Sequence, residues 1–223
     1  MPRRRALTEA QLDALLALPA DEARLIRHWT LDAADRAAVD RRRGSHNQLG
    51  FALQLCAFRY PGRLLRPGEA IPDAALRFVA DQLHVDPATL AAYAARPQTR
   101  REQLDALREE FGFRMFGPGH GRDMLTWLLP VALATTSAAA IAAALMDELR
   151  RRQIVAPGSS VLERLIAAAL IVAERHVAAQ PTPVFLLRPA VCNRAKAPTS
   201  IYASSRGSKP VGPSAPTAST SLR

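Results

Sequence analysis

The chain has 223 residues, long enough to bury one good core or two small ones sharing an interface. Hydrophobic residues make up 48% and aromatics only 5%, so the core must rest on Leu, Ala, Ile and Val, and the abundance of Ala and Leu favours helix. The net charge of +10 points to a polyanionic partner, and two cysteines without a CxxC or Cys/His spacing argue against structural zinc.

The charge is unevenly spread. Residues 1–180 hold all 20 acidic residues and carry a net +4 with arginine as their basic residue throughout. Residues 181–223 carry Arg188, Arg194, Lys196, Arg206, Lys209 and Arg223, no acid, and the remaining +6. For the body of the chain, local clustering of arginine is therefore more informative than the total.

Met1 to Arg5 resembles the basic start of a signal peptide, but Thr8, Glu9, Gln11 and Asp13 are too polar for the apolar stretch that should follow. The Arg3-Arg4-Arg5 arm is either a groove-entering arm or an idle basic terminus. Thr8-x-x-Gln11 fits a capping box and opens a helix over 8–18. Helices follow over 21–29 and 32–43, the second closed by Gly44. Ser45-x-x-Gln48 repeats the box and opens a helix over 46–60. There Leu49, Phe51, Ala52, Leu53, Leu55, Cys56 and Phe58 leave little polar face, so this helix should be central and Cys56 a small core residue.

Further helices are predicted over 72–83, 87–95, 100–111, 121–133, 137–152 and 161–179. Their start signals are Asp86 before Pro87, Thr99-x-x-Glu102 and Ser160-x-x-Glu163, and Gly112 is a stop. Met124 to Met146 is the one long uncharged stretch. Pro130, Thr135, Thr136 and Ser137 interrupt it, so it reads as the buried faces of two helices broken near Thr135 rather than as a membrane span. Strand signal is confined to Val184–Leu187, among prolines. After Gln180 the chain turns to Pro, Ser, Thr and Ala without helical period, which reads as a disordered or frameshifted tail over 181–223. The expected fold is an all-α, multi-helix orthogonal bundle over 1–180, either one body or two lobes, 1–97 and 98–180.

The densest chemical signal is Arg41-Arg42-Arg43-Gly44-Ser45-His46-Asn47-Gln48. Three arginines close one helix, a glycine breaks it, and polar donors open the next. Such a corner lays guanidinium groups on phosphates while helix amides face an anion, and Ser45, His46, Asn47 and Gln48 lie within reach of base edges. The plainer reading is that arginines complement a helix C-terminus and that Ser45 and Gln48 are already used as a cap. Arg150-Arg151-Arg152 repeats the pattern before Pro157-Gly158, and Arg59 and Arg63 flank Tyr60-Pro61-Gly62. Arg100-Arg101 opens a helix, where the dipole disfavours cations.

Catalytic signatures are missing: no GxxxxGK[ST], GxGxxG, GxSxG or HExxH occurs, and the five histidines show no metal-ligand spacing. The acidic pairs Asp32/Asp35 and Glu109/Glu110 fall at helix starts or on exposed faces, where a solvated role is expected. An enzyme, a metal and a cofactor are therefore not expected.

The string RHWTLDAADRAAVDRRRGSHNQLGFALQLCAFRYPGRLLRPGE, from Arg27 to Glu69, closely resembles the N-terminal region of class II, Tn-three-type replicative transposases. FVADQLHVDPATLAAYA (from Phe78), TRREQLDALREEFGF (from Thr99), LTWLLPVALAT (from Leu125) and LMDELRRRQIVAPGSSVLERLIA (from Leu145) are similar too, in family order over about residues 1–180. The resemblance implies a helical region that binds the transposon's terminal inverted repeats as double-stranded DNA, in the bacterial cytoplasm at the nucleoid. It implies that the strand-cutting carboxylates lie on a later ribonuclease-H-like domain, for which the sequence has no counterpart after its last long helix. The alternatives are a helical module contacting other transposase subunits and a non-functional pseudogene fragment.

Overall fold

In a computed structural model, residues 6–93 and 97–179 are described. The Arg3–Arg5 arm, the Val184–Leu187 segment, Cys192 and the rest of the 181–223 tail lie outside the described residues. The described residues form nine α-helices: α1 (Glu9–Leu16), α2 (Glu22–Trp29), α3 (Ala33–Asp40), α4 (Ser45–Arg59), α5 (Asp73–Leu83), α6 (Pro97–Phe111), α7 (Pro118–Ala134), α8 (Ala138–Arg151) and α9 (Ser159–Ala179). A 3-10 turn (Pro87–Ala92) stands between α5 and α6, and two short strands, β1 (Arg114–Met115) and β2 (Ile154–Val155), pair in parallel with Arg114 opposite Ile154. The all-α expectation holds. No helix among the described residues is long and apolar enough to cross a membrane.

Local chemistry accounts for most boundaries. The Thr8 hydroxyl accepts from the Gln11 amide at 3.2 Å, and Gln11 Oε1 accepts from the Thr8 amide at 2.9 Å, which completes the predicted box. The uncharged stretch breaks where expected. Thr135 ends α7, and the Ser137 hydroxyl accepts from the Ala140 amide at 3.3 Å to start α8. Three of the predicted boxes do not form. Gly44, at φ +84°, takes the cap position and leaves Ser45 as the first helical residue, and Gly158 does the same for α9. α6 begins at Pro97, so Thr99 lies inside it and Glu102 accepts from Gln98 instead, at 2.9 Å. The strand pair was also not predicted, because two residues are too short to show a period.

The centre is α4, whose residues 49–58 are all buried. A helix apolar on every side has to be surrounded. Trp29, Val79, Leu107, Phe113 and Val155 pack around Phe51 and Phe58, with Phe58 and Phe113 edge to face at 5.1 Å. Gly50 is what lets the Tyr93 ring lie on the α4 backbone, since a Cβ there would come within 2.0 Å of the ring. A second cluster joins Leu7 and Leu12 to Met124, Leu128, Ile141, Leu145, Leu162 and Ile166 of α7–α9. The strand pair and the Ala156 amide, which donates to the Gly62 carbonyl at 2.7 Å, tie the α8–α9 link to the loop after α4.

Candidate nucleic-acid interface

α3 ends at Asp40, and the chain turns through Arg41–Gly44 into α4. The Gly44 carbonyl accepts from the Asn47 and Gln48 amides at 2.9 and 3.1 Å, and no side chain caps the helix. The Ser45 and His46 amides thus belong to an open helix N-terminus, the positive end of its dipole. Asn47 Nδ2 donates to the Arg43 carbonyl at 2.9 Å, so that amide group braces the turn. Ser45 is exposed, and His46 and Gln48 are half-buried.

The arginines here are not equivalent. Arg41 Nη2 and Arg42 Nη2 each donate to one oxygen of Glu110 at 2.6 Å, one guanidinium per oxygen. Arg42 also lies over the Phe51 ring at 4.3 Å, which leaves its side chain only 18% exposed. Arg43 is exposed and has no ion-pair partner among the described residues.

Arg59 and Arg63 serve the fold. Arg59 grips both oxygens of Asp35 at 2.6 Å, and that carboxylate, 1% exposed, simultaneously accepts from the Asp32 amide at 2.9 Å. This corrects the expectation that Asp32 and Asp35 are both solvated: they do start α3, but Asp35 is sealed under the end of α4. Arg63 clamps Glu69 through two nitrogens and donates to the Leu16 carbonyl at 2.6 Å, tying α1 to the loop after α4. Burial opposes ionisation of Glu69, yet the Arg63 hydrogen bonds and the Arg66 amide hold its pKa below the usual value.

The Arg150–Arg152 run closes α8. Arg150 pairs with Asp147, donates to the Pro61 carbonyl at 3.1 Å and lies over Tyr60 at 5.0 Å, with His28 stacked on Tyr60 at 4.4 Å. Arg151 holds both oxygens of Glu148 at 2.7 Å and Arg152 a third contact at 2.5 Å. The Arg151 hydrogen bonds, and after the opposing effect of burial those of Arg152, bring the Glu148 pKa down to about 2. Arg59 and Arg150 meet across a cleft of about 210 Å³ lined also by Phe58, Phe111, Phe113 and Gln153. Arg63 lines a different one with Leu16 and Glu69.

The sequence analysis missed the acidic partners. Asp35 and Glu110 are distant in sequence from the arginines they hold, whereas Glu148 precedes Arg151 and Arg152 by one helical turn, an i,i+3 and i,i+4 spacing that was legible. One signal was present for Glu110. It sits with Glu109 in the last turn of α6, where the dipole disfavours an anion. No group of three or more His, Cys, Asp or Glu among the described residues is placed to hold a metal.

Residues 6–169 match a family model described as a domain of unknown function (DUF4158). The chain is 40% identical over 186 residues to the transposase for transposon Tn3926 of Escherichia coli, covering 83% of this chain and 19% of that protein. It is 40% identical over 177 residues to the transposase for transposon Tn21 of Escherichia coli, covering 79% and 18%, and 36% identical over 177 residues to that for Tn501 of Pseudomonas aeruginosa, again covering 79% and 18%. The chain thus spans less than a fifth of the length of these relatives. With more than half of its residues inside the family model, the chain belongs to the DUF4158 family, and it is homologous to transposases of the Tn-three type.

Proposed function

We propose that the chain binds the terminal inverted repeats of a transposon as double-stranded DNA, without cutting it, through the α3–α4 corner. The observation that carries this reading is the union of an exposed, unpaired Arg43 with the open N-terminus of α4, beside Arg41 and Arg42. Phosphates would take the arginines and the Ser45 and His46 amides, and Ser45, His46 and Gln48 would meet base edges. Asn47 is committed to the turn. Arg151, 69% exposed, and Arg152 offer a second phosphate contact. Arg59 and Arg63 are assigned to the scaffold. Binding of this kind needs no cofactor, and its setting would be the bacterial nucleoid.

The test is a gel shift of the full chain on a terminal repeat and on a scrambled duplex, with Arg41→Ala, Arg42→Ala and Arg43→Ala combined. Each lost phosphate contact flattens the salt slope by about 0.9, so the triple variant should lose up to roughly three units on both duplexes. An unchanged affinity and slope would refute the assignment. A second reading, contact with other transposase subunits, is favoured by Ile171, Val172 and Val177 of α9, which are 48%, 39% and 61% exposed. Concentration-dependent self-association abolished by Ile171→Asp would favour it.

A further inference from the structure

Glu110 occupies the two guanidinium groups nearest the proposed DNA contact, and its own position makes sense only through them. A carboxylate in the last turn of a helix faces the negative end of the dipole. Glu110 lies there on α6, next to Glu109, and is compensated by Arg41 and Arg42 reaching from the end of α3 at 2.6 Å. The arrangement of one guanidinium for each of two oxygens suits any oxyanion of that size, a phosphate as well as a carboxylate. The Glu110 side chain remains 29% exposed and that of Arg41 56%, so the pair is open to exchange with an ion from solvent. Gly112, at φ +72°, ends α6 one residue beyond Phe111, and nothing after Glu110 in its helix buttresses the carboxylate.

We infer that Glu110 is an internal phosphate mimic that closes the Arg41–Arg42 clamp, and that a DNA phosphate binds there by displacing it. The inference rests on the proposed DNA-binding reading. The consequence is that the free protein is partly self-neutralised at its contact surface. Arg43, which has no ion-pair partner among the described residues, makes the first encounter, and Arg41 and Arg42 engage once Glu110 lets go. Weak, non-productive duplex contacts are thereby held down relative to those that deliver a phosphate into the clamp.

The test uses the full chain and a short duplex of mixed sequence, read by fluorescence anisotropy across a salt series. Glu110→Gln keeps the size of the side chain and removes the charge. An exposed ion pair of this kind is expected to change affinity by about two- to fivefold when its competing charge is lost. Glu110→Gln should bind tighter by that factor, and the gain should vanish when Arg41→Ala and Arg42→Ala are also present. Glu109→Gln makes the same change in net charge one residue away, at a side chain with no ion-pair partner among the described residues, and should give less than half the effect. Equal gains from both variants, or no gain from Glu110→Gln while the arginine triple variant still loses affinity, overturn the mimic and leave the DNA reading standing. If neither the natural chain nor Glu110→Gln binds duplex at low salt, the DNA reading and the mimic fall together. Binding seen only in Glu110→Gln supports the mimic strongly.

Discussion

Replacing Arg59 with alanine separates a structural arginine from a DNA-binding one. Asp35 is 1% exposed and takes both of its guanidinium hydrogen bonds from Arg59, at 2.6 Å each. Without Arg59 the carboxylate keeps only the Asp32 amide, at 2.9 Å, and stays under the end of α4 as an uncompensated buried charge. Breaking a fully buried pair this way costs about 3–5 kcal/mol. Arg59 itself is 30% exposed, which lets water reach the vacated space, so the expected cost lies near the lower end, about 3 kcal/mol. For a domain of this size each kcal/mol lowers the melting temperature by about 2–4 °C, so Arg59→Ala should melt roughly 6–12 °C lower. Asp35→Asn in the same background removes the stranded charge and should recover part of the loss. The assay is thermal unfolding by circular dichroism alongside duplex binding well below the melt. A melt within 2 °C of the natural chain, together with weakened binding, would refute the scaffold role and return Arg59 to the DNA surface.

Two further outcomes follow from particular contacts. Glu148 has its pKa held near 2, below the ordinary carboxylate value, so its contribution is complete above about pH 4.5 and is lost as pH falls towards 2. Glu148→Gln should therefore destabilise the chain at neutral pH by about 1–2 kcal/mol, discounted because Arg151 is 69% exposed, and the difference should shrink below about pH 4.5 in denaturant melts. A pH-independent difference would rule out the ionic account. Gly50→Ala drives a methyl to within 2.0 Å of the Tyr93 ring and should cost about 1–3 kcal/mol of overpacking. In a Tyr93→Ala background the same change should become neutral or stabilising by up to about 1 kcal/mol, since alanine is the better helix former. Persistent destabilisation there would place the clash elsewhere.

Helices were legible in the sequence because their signals are local. The apolar run of α4 and the break at Thr135–Ser137 depend on residues within one turn of each other. The boxes at Ser45 and Ser160 misled for an equally local reason. A glycine just upstream, Gly44 or Gly158, took the cap position, so Ser45 became the first residue of its helix and Ser160 the second. The arginine clusters were visible, but their partners were not. Asp35 and Arg59 are 24 residues apart and Arg41 and Glu110 are 69 apart, so only tertiary packing decides that these charges meet. Reading the charge of a segment overstates the charge it presents.

That difference bears on how a duplex would be read. Two helices joined by a short glycine-containing turn have the connectivity of a helix-turn-helix, in which the second helix lies in the major groove. α4 cannot be used that way. Every residue from Leu49 to Phe58 is buried, and a helix lying in a groove must show a polar face along its length. What α4 offers is its end: two open amides, the Ser45 hydroxyl and the half-buried His46 and Gln48. In the proposed reading an end of this size would span one or two base pairs at about 1–3 kcal/mol of discrimination each, while the arginines around it would act on phosphate regardless of sequence. On that reading, affinity at this corner would be set mainly by how much of its positive charge is free, and the acids, Glu110 above all, would decide it as much as the arginines they hold.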